Sequence, residues 1–123
     1  MIGYVTIGTN DLARAEKFYD ALLAELGGKR VMANDRMRMY AAGQGQAMIA
    51  VCTPFDKQKA TVGNGNMVAL AAGSKEAVHR IYEKALSLGA TDEGPPGPRS
   101  AAFYGGYFRD PDGNKLVAFV FGN

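Results

Sequence analysis

The sequence predicts an α+β protein made of two βαβββ modules. Three observations lead there. Two amphipathic helical stripes lie in the chain, Leu12 to Leu26 and Lys75 to Leu88, each preceded by a short strand-like run and a capping residue. The two halves align at an offset of 63 residues, that is Tyr4 with Met67, Ile7 with Leu70, Asp11 with Ser74, Phe18 with Ile81 and Tyr19 with Tyr82. The chain then closes on two strand-like runs, Phe103 to Arg109 and Lys115 to Phe121, around the polar turn Asp110-Pro111-Asp112-Gly113-Asn114.

Ile2 to Gly8 alternates and is rich in β-branched residues, so it is a strand with Val5 and Ile7 on one face and Tyr4 and Thr6 on the other. Asn10 or Asp11 caps the first helix, whose buried stripe is Leu12, Ala15, Phe18, Tyr19, Leu22 and Leu26, and Gly27-Gly28 stops it. Lys29 to Ala33, Met37 to Ala42 and Ala47 to Thr53 follow as three antiparallel strands, separated by the turn signals Asn34-Asp35 and Gly43-Gln44-Gly45. Pro54 to Asn66 is a polar connector between the halves.

Met67 to Ala71 opens the second module, Ser74 caps its helix, and Val78, Ile81, Ala85 and Leu88, with Tyr82 beside them, form the buried stripe. Gly27 and Gly89 align at 62, which places the loss of one residue inside the second helix. Thr91 to Glu93 is a short strand, and Gly94-Pro95-Pro96-Gly97-Pro98 is a loop containing no helix or central strand. Lys115 to Phe121 has almost no polar residue, so both faces of that strand are expected to be covered. The expected organisation is one domain over 1–123, with module one at 1–53, a connector at 54–66 and module two at 67–123.

Hydrophobic residues are 47% and charged residues 21% of the 123, a composition of ordered globular proteins. A net charge of +2 with scattered basic residues gives no footprint for nucleic acid. No apolar run approaches a membrane span, and the N-terminus is too short and polar for a secretory signal, so the expected compartment is the cytoplasm. Cys52 is the single cysteine; it forms no intrachain disulfide and no Cys/His zinc spacing exists.

Three stretches together resemble the vicinal oxygen chelate superfamily, which includes glyoxalases, bleomycin-resistance proteins and extradiol dioxygenases. They are Tyr4-Val5-Thr6-Ile7 with Asp11 to Ala15 and Phe18-Tyr19; Gly63 to Ala69; and Phe108-Arg109-Asp110-Pro111-Asp112-Gly113-Asn114. The resemblance implies a curved mixed sheet from two βαβββ modules around a cleft. It also implies a divalent metal held by four residues, one each from the first and last strands of both modules, polarising vicinal oxygens of a substrate. Carried over residue by residue, those four positions fall on Tyr4, Met67, Val117 and a residue near Ala50, between Ile49 and Val51. None is a ligand of the usual kind, so no cofactor is expected.

The resemblance places the ligand-binding cleft at Tyr4, Thr6, Met67, Ala69, Val117 and Phe119, with Arg109 and Tyr40 as further candidates. Tyr4 is either a hydrogen-bonding handle or an aromatic filler, and Met67 is a soft apolar wall. Arg109, or Arg38 sharing a face with Tyr40, can hold a carboxylate or phosphate if it faces the cleft. Cys52 is read as a small buried hydrophobe and His79 as a helix-packing or surface residue. The expected function is metal-free binding of a small apolar or aromatic molecule by a homodimer. The alternatives are a glyoxalase-like lyase, isomerase or dioxygenase with atypical site residues, and a structural or regulatory homodimer without a ligand.

Overall fold

The computed structural model describes residues 1–122. The chain forms two compact units, one ending at Val62 and one beginning at Gly63. Each contains a helix and a four-stranded mixed sheet.

The first unit comprises β1 (Tyr4–Gly8), α1 (Leu12–Ala24), β2 (Lys29–Ala33), β3 (Met37–Ala41) and β4 (Met48–Cys52). Its sheet order is β1-β4-β3-β2; β1 runs parallel to β4 and the other pairs are antiparallel. Asp11 caps α1 by accepting a hydrogen bond from the Arg14 amide at 3.0 Å, which satisfies one of the free donors of the first turn. Ala15, Phe18, Tyr19, Leu22 and Leu23 are buried along the helix, against β2, β3 and β4.

The second unit repeats this plan with β5 (Val68–Ala71), α2 (Lys75–Ser87), β6 (Thr91–Pro98), β7 (Phe103–Arg109) and β8 (Lys115–Phe121). Its sheet order is β5-β8-β7-β6, with β5 parallel to β8. Ser74 caps α2 by accepting from the Ala77 amide at 3.1 Å, the counterpart of Asp11. Both helices have 13 residues and keep the offset of 63 from end to end. The lost residue therefore falls after the helix, in the turn leading to Gly89, rather than inside it.

A second expectation also needs correction. Gly94 to Pro98 is strand, because β6 continues to Pro98 through two irregularities in its pairing with β7. It lies at the sheet edge, where proline is tolerated and the bulges absorb the misfit. The central strand β8 is apolar for the expected reason: Leu116, Val117 and Ala118 are all fully buried. No helix among the described residues is long and apolar enough to cross a membrane.

Candidate functional site

Strand alternation and the position of each helix divide the side chains of each sheet into two faces. In the first unit, Arg38 reaches Glu16 of α1 at 2.9 Å, and the Tyr40 hydroxyl donates to Asp20 of α1 at 2.7 Å. Those residues, with Val5, Ile7, Ile49 and Val51 in register, mark the helix side. The opposite, helix-free face carries the row Thr6, Ala50, Met39 and Met32, with Tyr4 beside Met48 and Cys52 beside Met37. Tyr4 is 54% exposed, whereas Ala50 is fully buried.

This division corrects the placement of Tyr40. It is buried against α1, on the face opposite Tyr4 and Thr6. Burial and the hydrogen bond to Asp20 push its phenol well above the ordinary tyrosine range. Arg38 is likewise committed to Glu16, and Arg30 joins the same pair of acids, Glu16 at 2.9 Å and Asp20 at 2.7 Å.

In the second unit, Tyr104 marks the helix side, with its hydroxyl 2.7 Å from His79 Nε2 on α2. A Cβ on Gly106 would meet Tyr82 of α2 at 3.2 Å, so that glycine lets the helix approach the sheet. The other face carries Phe103, Tyr107 and Arg109 from β7 and Lys115, Val117, Phe119 and Phe121 from β8. Ala69 lies on this face opposite Val117, and Met67 follows two residues earlier by alternation. Val117 is fully buried and Met67 is 44% exposed. Phe103 stacks on Phe119 at 5.3 Å between ring centres, and Phe121 meets both edge-on. This is an aromatic wall two residues from Val117.

Met67, Ala69, Val117, Phe119 and Arg109 are therefore brought to one face of the second unit, and Tyr4 and Thr6 to one face of the first. Arg109 is not available as a free cation: it binds Glu93 at 2.6 Å and the Gly113 carbonyl at 2.9 Å. Cys52 is buried, and His79 on α2 is exposed and packs its ring nitrogen against the Tyr104 hydroxyl, in line with the readings of a buried small hydrophobe and a helix-packing or surface residue.

The methionines are a feature that residue-by-residue reading passed over. Met32, Met37, Met39 and Met48 all belong to the helix-free face of the first unit, and Met67 to that of the second. The signal is visible in the alternation of Met37-Arg38-Met39-Tyr40. Thioether side chains supply a soft, polarisable wall that adapts to differently shaped apolar molecules. Arg99 and Lys115 were missed as well. Arg99 lies over Tyr107 at 5.2 Å and Lys115 over the same ring at 5.4 Å.

A separate groove of about 510 Å³ lies in the first unit, where the end of β1 meets the chain following β4. Arg36, Phe55, Lys57, Lys59 and Asp35 line it. The Asn10 side chain fastens the connector there, donating to the Ala60 carbonyl and accepting from its amide.

The family model of the Glyoxalase/Bleomycin resistance protein/Dioxygenase superfamily matches residues 1–118. The chain belongs to this superfamily. A glyoxalase/bleomycin resistance protein from Albidiferax ferrireducens T118 is 39% identical, with 97% of each chain covered and a TM-score of 0.89. A lactoylglutathione lyase from Agrobacterium tumefaciens shares the fold at 19% identity, covering 97% of this chain and 92% of that one, with a TM-score of 0.72. A fosfomycin resistance protein from Mesorhizobium loti does so at 20% identity, covering 98% and 90%, with a TM-score of 0.71. Comparison with curated proteins returned no match.

Superfamily membership raises the question of a metal. The implied ligand positions offer a phenol at Tyr4, a thioether at Met67 and hydrocarbons at Val117 and Ala50. Among the described residues, no three His, Cys, Asp or Glu side chains gather where they could hold an ion. Zinc, nickel, iron and manganese favour imidazole, carboxylate or thiolate donors, so this donor set does not fit them.

Proposed function

We propose that the protein binds a small aromatic or apolar molecule without a metal ion, using the helix-free faces of its sheets. The observation that carries this reading is the donor set: a preserved superfamily scaffold with a phenol, a thioether and two hydrocarbons at the metal-ligand positions. The methionine-rich face and the Phe103, Phe119 and Phe121 wall support an apolar ligand body. Tyr4, half-exposed, supplies a hydroxyl able to donate or accept one directional hydrogen bond. Sequestration of an antibiotic-like compound is one form of this activity, and the fosfomycin resistance protein among the structural neighbours makes antibiotics a sensible part of the ligand panel. The reading also takes the chain as one domain acting in the cytoplasm as a homodimer.

A thermal-shift screen of aromatic acids, neutral aromatics and antibiotics tests the reading. Binders are expected to raise the melting temperature, because a ligand that favours the folded state adds RT ln(1 + [L]/Kd) to stability. Tyr4→Phe and Met67→Ala are expected to weaken the best hit by about threefold to thirtyfold, the loss of one hydrogen bond or one apolar contact. No response across the panel contradicts the proposal.

A further inference from the structure

We propose that Arg99 and Lys115, gathered on the ring of Tyr107, form an oxyanion-binding site on the helix-free face of the second unit, so that the ligand is a flat molecule bearing a carboxylate or phosphate group. This names the ligand class of the metal-free binder and rests on that reading.

Position is the first argument. Tyr107 is the direct cross-strand partner of Val117, the position to which the superfamily resemblance carries a metal ligand. The two cations therefore share a ring that neighbours Val117 on the same face. Space is the second. Arg99 lies across β6 where the strand has glycine. A Cβ on Gly94 or Gly97 would come within 3.2 Å or 3.1 Å of its terminal nitrogens. The Arg99 guanidinium donates to the Pro95 carbonyl at 2.6 Å, and its backbone amide donates to Phe103 at 2.8 Å. The head group is thus held in place before any ligand arrives, which lowers the ordering cost of binding.

Charge is the third argument. Arg30, Arg38 and Arg109 are each paired with a carboxylate. Arg99 and Lys115 form no ion pair among the described residues, although both lie near one ring and Lys115 faces Arg109 across the strands. Glu93, the acid on this side of β6, is taken by Arg109. An oxyanion at this ring meets charge-assisted donors on both side chains, neither of which is engaged by a carboxylate among the described residues. The rest of the ligand then lies along the same face toward Phe119 and Phe121, the latter 70% exposed. The site suits an amphipathic molecule, acidic at the Tyr107 end and aromatic at the other.

Calorimetric titrations with matched pairs test this: 2-naphthoate against 2-naphthamide, and phenyl phosphate against phenol. The acids are expected to bind about tenfold or more tighter than their neutral partners, with the margin shrinking at high salt. Arg99→Gln and Lys115→Gln are each expected to erase most of that margin while leaving the neutral compounds unchanged. Arg36→Gln, in the groove of the first unit, serves as the control and is expected to change nothing. Equal binding of acids and neutral partners, or a margin that survives loss of Arg99 and Lys115, overturns the oxyanion site and leaves the metal-free binder standing. A margin abolished by Arg36→Gln assigns the anion to the groove and also overturns it. Failure of every compound to bind overturns both readings.

Discussion

Tyr40 and Arg38 leave β3 toward α1, and their partners Asp20 and Glu16 hold them there. Tyr40→Phe is expected to lower stability by about 1–2 kcal/mol, because it removes a hydrogen bond from a buried position, and to leave ligand affinity unchanged. Urea denaturation beside a binding titration checks both halves of that statement. Alternation alone shows that Arg38 and Tyr40 share a face. It does not show which face meets the helix, because that depends on how β3 registers against β4 across the turn at 43–47. Tyr82 gives a second test at this scale. Burial, with a hydrogen bond to Asp92 at 2.7 Å, pushes its phenol up to about 12. An unfolded tyrosine titrates near 10, so the folded state keeps a proton that the unfolded state has lost. Stability is expected to be insensitive to this group below about pH 10 and to fall between about pH 10 and 12. Tyr82→Phe is expected to flatten that fall in denaturation curves taken across the window. An equal fall in the variant would contradict the assignment. Arg99 escaped sequence reasoning because the role proposed for it rests on what surrounds it: a strand edge bare of side chains and, among the described residues, no paired carboxylate, neither local to its position.

The β7–β8 hairpin was legible as an element because its turn chemistry is local. Asp110 accepts from the amides of Asp112 and Asn114 and from the Asn114 side chain, all within 3.0 Å. Its carboxylate is nearly buried, so Asp110→Ala leaves several donors unpaired and is expected to cost about 2–4 kcal/mol by urea denaturation. A loss below about 0.5 kcal/mol would show that solvent replaces those bonds without penalty. The edge strand β6 was less legible. A run of Gly and Pro reads as a loop when local preferences are all that is known, and only the neighbouring β7 supplies the ladder that makes it a strand. Its glycines carry a further expectation. A methyl group at position 97 would push against the flexible end of Arg99, so Gly97→Ala is expected to weaken the binding of acids more than that of neutral partners. An unchanged acid preference in that variant would show that the close approach of Arg99 to the strand is dispensable.

At the scale of the molecule, the repeat was the most legible feature. Caps, helix lengths and strand order recur in both units because hydrophobic period and capping chemistry are written locally in each half. The ligand was the least legible, since it depends on which side chains share a face and which charges go unpaired. The exposed apolar residues Ile2 and Val31, neither of them part of the proposed ligand wall, support the proposed homodimer. Light scattering is expected to give twice the chain mass of 13.1 kDa, and a monomer mass at micromolar concentration would remove that part of the proposal. The central claim, binding without a metal, is tested most directly by elemental analysis of protein purified from cells grown in ordinary medium without chelators. The account predicts far less than one equivalent of zinc, nickel, iron or manganese per chain, and no rise in melting temperature when these ions are added back. A stoichiometric ion that survives dialysis would contradict it.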